Sequence, residues 1–294
     1  MRSNLLKMNS LSTSQAPRGW DPAWSKLEGS MVQLYTPGTP RTIHQFWQRC
    51  YFEDLWAYMG EQAPRARYLE VGAGRGTTSM YLASRNCDVT MLDLSSEGFR
   101  VAKQNFAREG LRVPKMMVGD ASAAGLREGS FDCILSIGLL EHFTDPRMVL
   151  EETLRLLAPG GLHFGIVIPE RPVGVRWLTN TLFAPWKTAR GIAGTVVRGL
   201  RRQNGGRKTQ PVYRNDLQSS YYVKTLQELD ATEIQCIPYN PYHPVYDPGF
   251  MESAVLLPAY RMYAGLGRLL HKQPLLKTHE GVASCDLLTF RKRK

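Results

Sequence analysis

Tyr68-Leu69-Glu70-Val71-Gly72-Ala73-Gly74-Arg75-Gly76 is the stretch on which the fold turns. Leu69 and Val71 read as the end of a strand, and Gly72, Gly74 and Gly76 as a turn in which the backbone bends sharply and approaches a ligand where a Cβ would collide. Seventeen residues past Gly76, Asp93 closes a second apolar run, Val89-Thr90-Met91-Leu92. Strand, glycine turn, helix, second strand and acidic tip is the order in which α/β folds hold an adenosine-containing ligand, the acid accepting from both ribose hydroxyls. A lone glycine trio is also compatible with a plain strand-to-helix turn, so the rest of the chain decides.

The spacing departs from G-x-G-x-x-G: the place of the third glycine holds Thr77, and an acid, Glu70, stands two residues before Gly72. A carboxylate there repels a pyrophosphate and tolerates a ligand bearing an ammonium and a sulfonium. Further on, Lys115 to Val118 reads as a strand ending in Gly119-Asp120-Ala121. Phe131 to Gly138 reads as a buried strand, followed by Leu139-Leu140-Glu141-His142-Phe143. A helix from about Pro146 to Leu157, a Pro159-Gly160-Gly161 turn and a strand from Leu162 to Ile168 complete the series.

These stations over Arg67 to Ile168 resemble the S-adenosylmethionine (SAM) dependent methyltransferases of the Rossmann-like fold, class I, in the small-molecule branch that includes quinone and sterol enzymes. The resemblance implies an α/β fold: a seven-stranded sheet, parallel except for an antiparallel strand seven, flanked by helices. It implies SAM as cofactor, held by Glu70, Gly72, Gly74, Gly76, Asp93 with Leu94, the acidic turn Asp120-Ala121, and Ile137 at the tip of strand four. Tyr35 stands where similar enzymes close the methionine end of SAM with an N-terminal aromatic; a packing role is the alternative.

Helical spacing of Ile43, Trp47, Cys50, Tyr51, Leu55 and Tyr58 predicts a helix over the cofactor mouth. Residues 1–60 thus form a tail and covering helices, 61–170 the cofactor core, 171–220 an insertion after strand five, and 221–294 the rest of the core. Within the last part, Tyr221 to Asp230 fits a helix, Glu233 to Pro238 strand six and Ala283 to Phe290 strand seven, leaving a substrate-side insertion at about 239–282. Both insertions are expected to serve as walls and lid of an acceptor pocket.

The charge is uneven. Residues 1–170 carry 18 Lys and Arg against 18 Asp and Glu, whereas residues 171–294 carry 19 against 8, giving the whole chain +11. No acid occurs from Arg171 to Asn215. Trp177 to Leu200 spaces apolar residues by three and four, with Lys187, Arg190, Arg198 and Arg201 opposite them. That is the pattern of an interfacial helix, broken near Pro185, or of a lid helix solvating its charged face. Peripheral membrane contact through 177–202 is one expectation, a plain lid the other.

The chain's basicity also suits nucleic acid, but no RNA-binding module is recognisable. The Asp/Asn-Pro-Pro-aromatic signature of base-methylating enzymes is replaced after strand four by Ser136-Ile137-Gly138-Leu139, so nucleic acid is not the expected partner. Ile137 to Leu140 likewise offers no carboxylate for a metal, and none is expected. The five cysteines are dispersed, without a C-x-x-C pair, and read as reduced thiols.

Methyl transfer needs a positioned acceptor and, for a neutral hydroxyl, a base. His142, directly after strand four, and His243, in the aromatic and proline-rich stretch Tyr239 to Tyr246, are the candidates; a pocket-shaping role is the alternative for His142, and His163 reads as structural. The expected reaction is methylation of a hydroxyl, less favourably nitrogen or carbon, of a hydrophobic or acidic small molecule that is free or lipid-linked. An acceptor held on a carrier, and a non-catalytic scaffold of the same fold that binds a membrane or partner, are the rival readings. A cytoplasmic location is expected, at a membrane surface if 177–202 is interfacial. Arg2, Lys7, Arg18 and the acid-free first 20 residues suit a mitochondrial transit segment if the source is eukaryotic, and a plain tail otherwise.

Overall fold

The computed structural model describes residues 34–169, 213–241, 252–270 and 272–294. Thirteen main elements are labelled in chain order: α1 (Ile43–Met59), β1 (Arg67–Val71), α2 (Thr77–Ala83), β2 (Asp88–Asp93), α3 (Ser96–Arg108), β3 (Lys115–Val118), β4 (Phe131–Ile137), α4 (Arg147–Leu156), β5 (Leu157–Val167), α5 (Ser219–Glu228), β6 (Thr232–Tyr239), α6 (Leu257–Leu269) and β7 (Cys285–Arg291). The expected helices and strands of the core all form, each boundary within a few residues of its place in the sequence reading. The largest difference is β5, which begins at Leu157 because that residue, extended at the end of α4, already pairs with Phe131; the register to β4 then shifts past Pro159-Gly160-Gly161 and resumes at Leu162 opposite Cys133.

The strands form one sheet in the order β3-β2-β1-β4-β5-β7-β6. Pairing is parallel from β3 to β5, while β7 runs antiparallel between β5 and β6. This is the Rossmann-like class I methyltransferase architecture. Helices cover both faces, so β1 and β4 are buried on both and carry near-continuous apolar runs, Tyr68-Leu69 and Cys133-Ile134-Leu135. The edge strand β3 instead exposes Lys115 and Val118, as an edge that avoids further pairing does.

Each face has its own core. One gathers α1 with Tyr68, Met91 and Phe164; the other gathers Leu69, Ile134, Leu150 and Phe290. Thr42 starts α1 by accepting from the Gln45 amide (3.1 Å), and Ser95 starts α3 by accepting from Gly98 (3.1 Å), each satisfying a first-turn donor. His163 is buried beside Ser136 (3.1 Å) and stacks on Phe290, and burial pushes its pKa down to about 3. It is a neutral core residue.

The sheet order reverses between β1 and β4, because β2 and β3 lie on one side of β1 and β5 on the other. Ligands of open α/β sheets bind beyond the strand ends at such a point.

Candidate active site

The loop after β1 is built around two strand tips. Gly72 and Ala73 donate to the Leu92 carbonyl at 2.8 and 3.2 Å. Gly74 donates to Asp93 Oδ2 at 2.8 Å, while Ser95 donates to Asp93 Oδ1 at 2.7 Å. One carboxylate therefore ties the glycine loop to the start of α3. Gly72 and Gly76 sit at φ +68° and +69°, which L side chains rarely adopt. An added Cβ would also come within 2.8 Å of Leu139 Cδ1 at Gly72 and 2.6 Å of Met91 Cε at Gly76. Only glycine fits either place.

Glu70, the penultimate residue of β1, is buried under the first turn of α2. Its Oε2 accepts from the Ser79 amide at 2.9 Å and from the Ser79 hydroxyl, so helix N-terminal donors partly support its charge. Burial outweighs them and raises its pKa to about 7. The residue is poised to ionise when a cation arrives.

Beyond the tips of β1, β2 and β4 lies a cavity of ≈ 410 Å³, within the range that encloses a cofactor-sized ligand. Glu70, Gly72, Asp93, Leu94, Ala121, Ile137 and His142 all line it. Gly74 and Gly76 shape the loop from behind and do not line the cavity. Asp120 turns its Oδ1 to the amide and hydroxyl of Ser122, both at 2.8 Å, leaving Gly119 and Ala121 at the wall. Tyr35 is buried 4.7 Å from the ring centre of Tyr81, and its neighbour Leu34 is the residue at the cavity. His243 and the 177–202 segment lie outside the described residues.

Several lining residues carried no motif in the sequence. Gln48 is presented by α1, and Arg75 and Arg214 add two cations. Arg75 stood inside the quoted loop, where a cation one place from two glycines was a readable signal. Arg214 lies at the end of the acid-free stretch and had none. From the second insertion, no described residue lines the cavity. Instead Tyr260 on α6 packs edge-on to Phe46 and Trp47 of α1, and Arg268 pairs with Glu53 at 2.6 Å.

His142 closes the far side. It ends a single 3-10 turn, Leu140–His142, and its Nδ1 lies 2.7 Å from the Tyr213 carbonyl oxygen. A carbonyl only accepts, so Nδ1 carries the proton and Nε2 the lone pair. Burial, helped by Arg214, lowers the pKa of His142, which keeps the ring neutral at pH 7. Glu141 beside it is buried and raised to about 7 by burial; its Oε1 is 3.9 Å from His142 Nε2. Among the described residues no group of three or more His, Cys, Asp or Glu could hold a metal ion.

Residues 69–165 match the family model described as a methyltransferase domain. A curated relative, the ubiquinone biosynthesis O-methyltransferase of Xanthomonas axonopodis pv. citri (strain 306), is 34% identical over 99 residues, which is 34% of this chain and 41% of the relative. The chain thus spans about two fifths of the length of the curated relatives it matches. Among solved structures, the cyclase SpnF covers 96% of this chain and 96% of its own at 17% identity and a TM-score of 0.59. A SAM-dependent methyltransferase from Thermotoga maritima, a possible histamine N-methyltransferase by its description, covers 94% and 99% at 13% identity and a TM-score of 0.56. Likeness at such identities speaks for the fold alone, and the fold hosts more than one reaction.

Proposed function

Residues 69–165 being a methyltransferase domain, we propose that the protein is a SAM-dependent methyltransferase acting on a hydroxyl of a hydrophobic or acidic small molecule. The observation that carries this reading is that two carboxylates, Glu70 and Asp93, line the same strand-tip cavity as the neutral His142.

The donor set suits SAM. Asp93 sits where a ribose diol would be held, Gly72 leaves room for close backbone approach, and the buried Glu70 is an acceptor for an ammonium. When bound, SAM supplies a methyl group on a sulfonium, which makes it electrophilic. The remaining work falls to this chain's residues: Leu139, Phe143 and Ile137 exclude water, Arg75 and Arg214 favour an acceptor with a negative charge, and His142 Nε2 takes the hydroxyl proton. A matched base contributes roughly a hundredfold or more to such a step. The curated ubiquinone relatives support oxygen as the acceptor atom.

Transfer of labelled methyl from SAM to a panel of phenols and hydroxy-acids, some with long alkyl tails, tests the reading. The tailed, anionic phenols should be the best acceptors. Calorimetry without any detectable SAM binding would sink the assignment outright.

A further inference from the structure

Helix α6 faces solvent with the wrong residues for an ordinary surface helix. Its inner side is Leu257, Tyr260 and Ala264, all buried. At spacings of three and four, its outer side is Met262, Leu266 and Leu269, continued by Leu270, with Met262 67% and Leu269 74% exposed. From Leu257 to Leu269 the charged residues are Arg261 and Arg268, and both lie toward the buried side: Arg261 donates to the Pro40 carbonyl and Arg268 pairs with Glu53. The outward stripe therefore has no charge in it. A contiguous apolar stripe of this kind marks a contact surface.

The surrounding charge identifies the partner. No acid occurs between Glu252 and Glu280, while Lys272 and Lys277 stand in that span just past the helix. Lys277 adjoins the stripe, since the half-exposed Tyr263 donates its hydroxyl to the Lys277 carbonyl. Lys272 follows the helix end, its amide bonded to the Gly267 carbonyl (2.8 Å). Two copies meeting on this stripe would bring these cations together, which is unfavourable. An anionic lipid surface instead receives the cations at its headgroups and the leucines at the acyl boundary. We propose that α6 docks the protein on anionic phospholipid bilayers. Docking through α6 is independent of methyl transfer, and either can fail alone.

Flotation with phosphatidylglycerol vesicles, against pure phosphatidylcholine, reads the binding. The wild type should float with the anionic vesicles and less as salt rises. Leu266→Ser with Leu269→Ser should weaken partitioning by on the order of a hundredfold, and Lys272→Glu with Lys277→Glu should abolish the preference for the anionic lipid. Melting curves check that both variants fold; should the leucine pair not fold, the lysine pair alone decides.

A polarity-sensitive dye on Leu266→Cys, with Cys87 and Cys236 replaced by serine, separates the occupants. Its emission should shift blue only when anionic vesicles are added. A blue emission without vesicles that grows with protein concentration would assign the stripe to a second copy. One independent of concentration would assign it to this chain's own segments. Either result, or unchanged flotation of both variants, overturns the proposal.

Discussion

The Nδ1 of His142 and the carbonyl oxygen of Tyr213, 71 residues apart in the chain, lie 2.7 Å from each other. The bond belongs to a short seam. Asn215 donates its amide hydrogens to the carbonyls of Leu140 (3.0 Å) and Phe143 (2.8 Å), and its own N–H bonds the Glu141 carbonyl at 2.7 Å. The chain returning from the first insertion thus fixes both the tautomer and the position of His142 at the cavity wall.

If His142 is the base, His142→Ala should lower kcat by about a hundredfold or more while leaving SAM affinity unchanged. The wild-type rate should fall on the acid side only below the ordinary histidine value, because burial lowers this pKa, and the variant should lose that acid limb. An intact limb and a loss of under about fivefold would make His142 a pocket wall.

Asn215→Ala should act through His142. It removes the side-chain donor to the buried Phe143 carbonyl, at a cost of about 1 to 3 kcal/mol, and one of two donors to the Leu140 carbonyl, which keeps the Phe143 amide at 3.4 Å. A fall of several degrees in melting temperature should accompany a reduced kcat. SAM affinity should stay at the wild-type value, as titration calorimetry would show; an equal loss of SAM binding would mean that the seam shapes the cofactor wall and not the base.

Much of this was legible because it is local. The tight loop, the acidic strand tip and the apolar runs each rest on residues close in sequence, so the core sheet follows from the stations over Arg67 to Ile168, and Glu70 and Asp93 at the cavity from Tyr68 to Asp93. What was not legible depends on distant segments. Arg214 reaches the cavity, and Asp54 of α1 accepts from Tyr239 and from the Leu275 amide, through a return path that no periodicity encodes. Tyr35 had two readings, and its packing on Tyr81 is a neighbour relation across 46 residues. Asp120 reads as an acidic turn, and the structure adds that its Oδ1 is held by Ser122 two residues on.

Three buried carboxyls, Asp54, Glu70 and Glu141, are each raised to about 7, chiefly by burial. Raised acids bind more protons folded than unfolded between about pH 4 and 7, so stability is lost as pH rises through that window. These carboxyls should pull the melting temperature of the ligand-free protein down from pH 5 to pH 8, against the opposite pull of His163, lowered to about 3, and of His142. Asp54→Asn should remove its share of the fall, and a variant profile parallel to the wild type would contradict the raised Asp54. SAM, whose ammonium favours ionised Glu70, should release a proton on binding near pH 6.5, measurable as a buffer-dependent heat.

Asp93 gives the last test, because it has two duties that different substitutions divide. Its oxygens accept from Gly74 and Ser95 at 2.8 and 2.7 Å, and its place at the cavity leaves it facing the expected ribose. Asp93→Ala removes both. It should lose about 3 to 6 kcal/mol of SAM affinity, the worth of two charge-assisted bonds. The melting temperature should fall too, since two amides lose their acceptor. Asp93→Asn keeps one acceptor oxygen for the loop, so it should melt closer to the wild type while still binding SAM at least about tenfold more weakly. Equal SAM affinity in all three proteins would remove Asp93 from the cofactor site and leave it a loop fastener only.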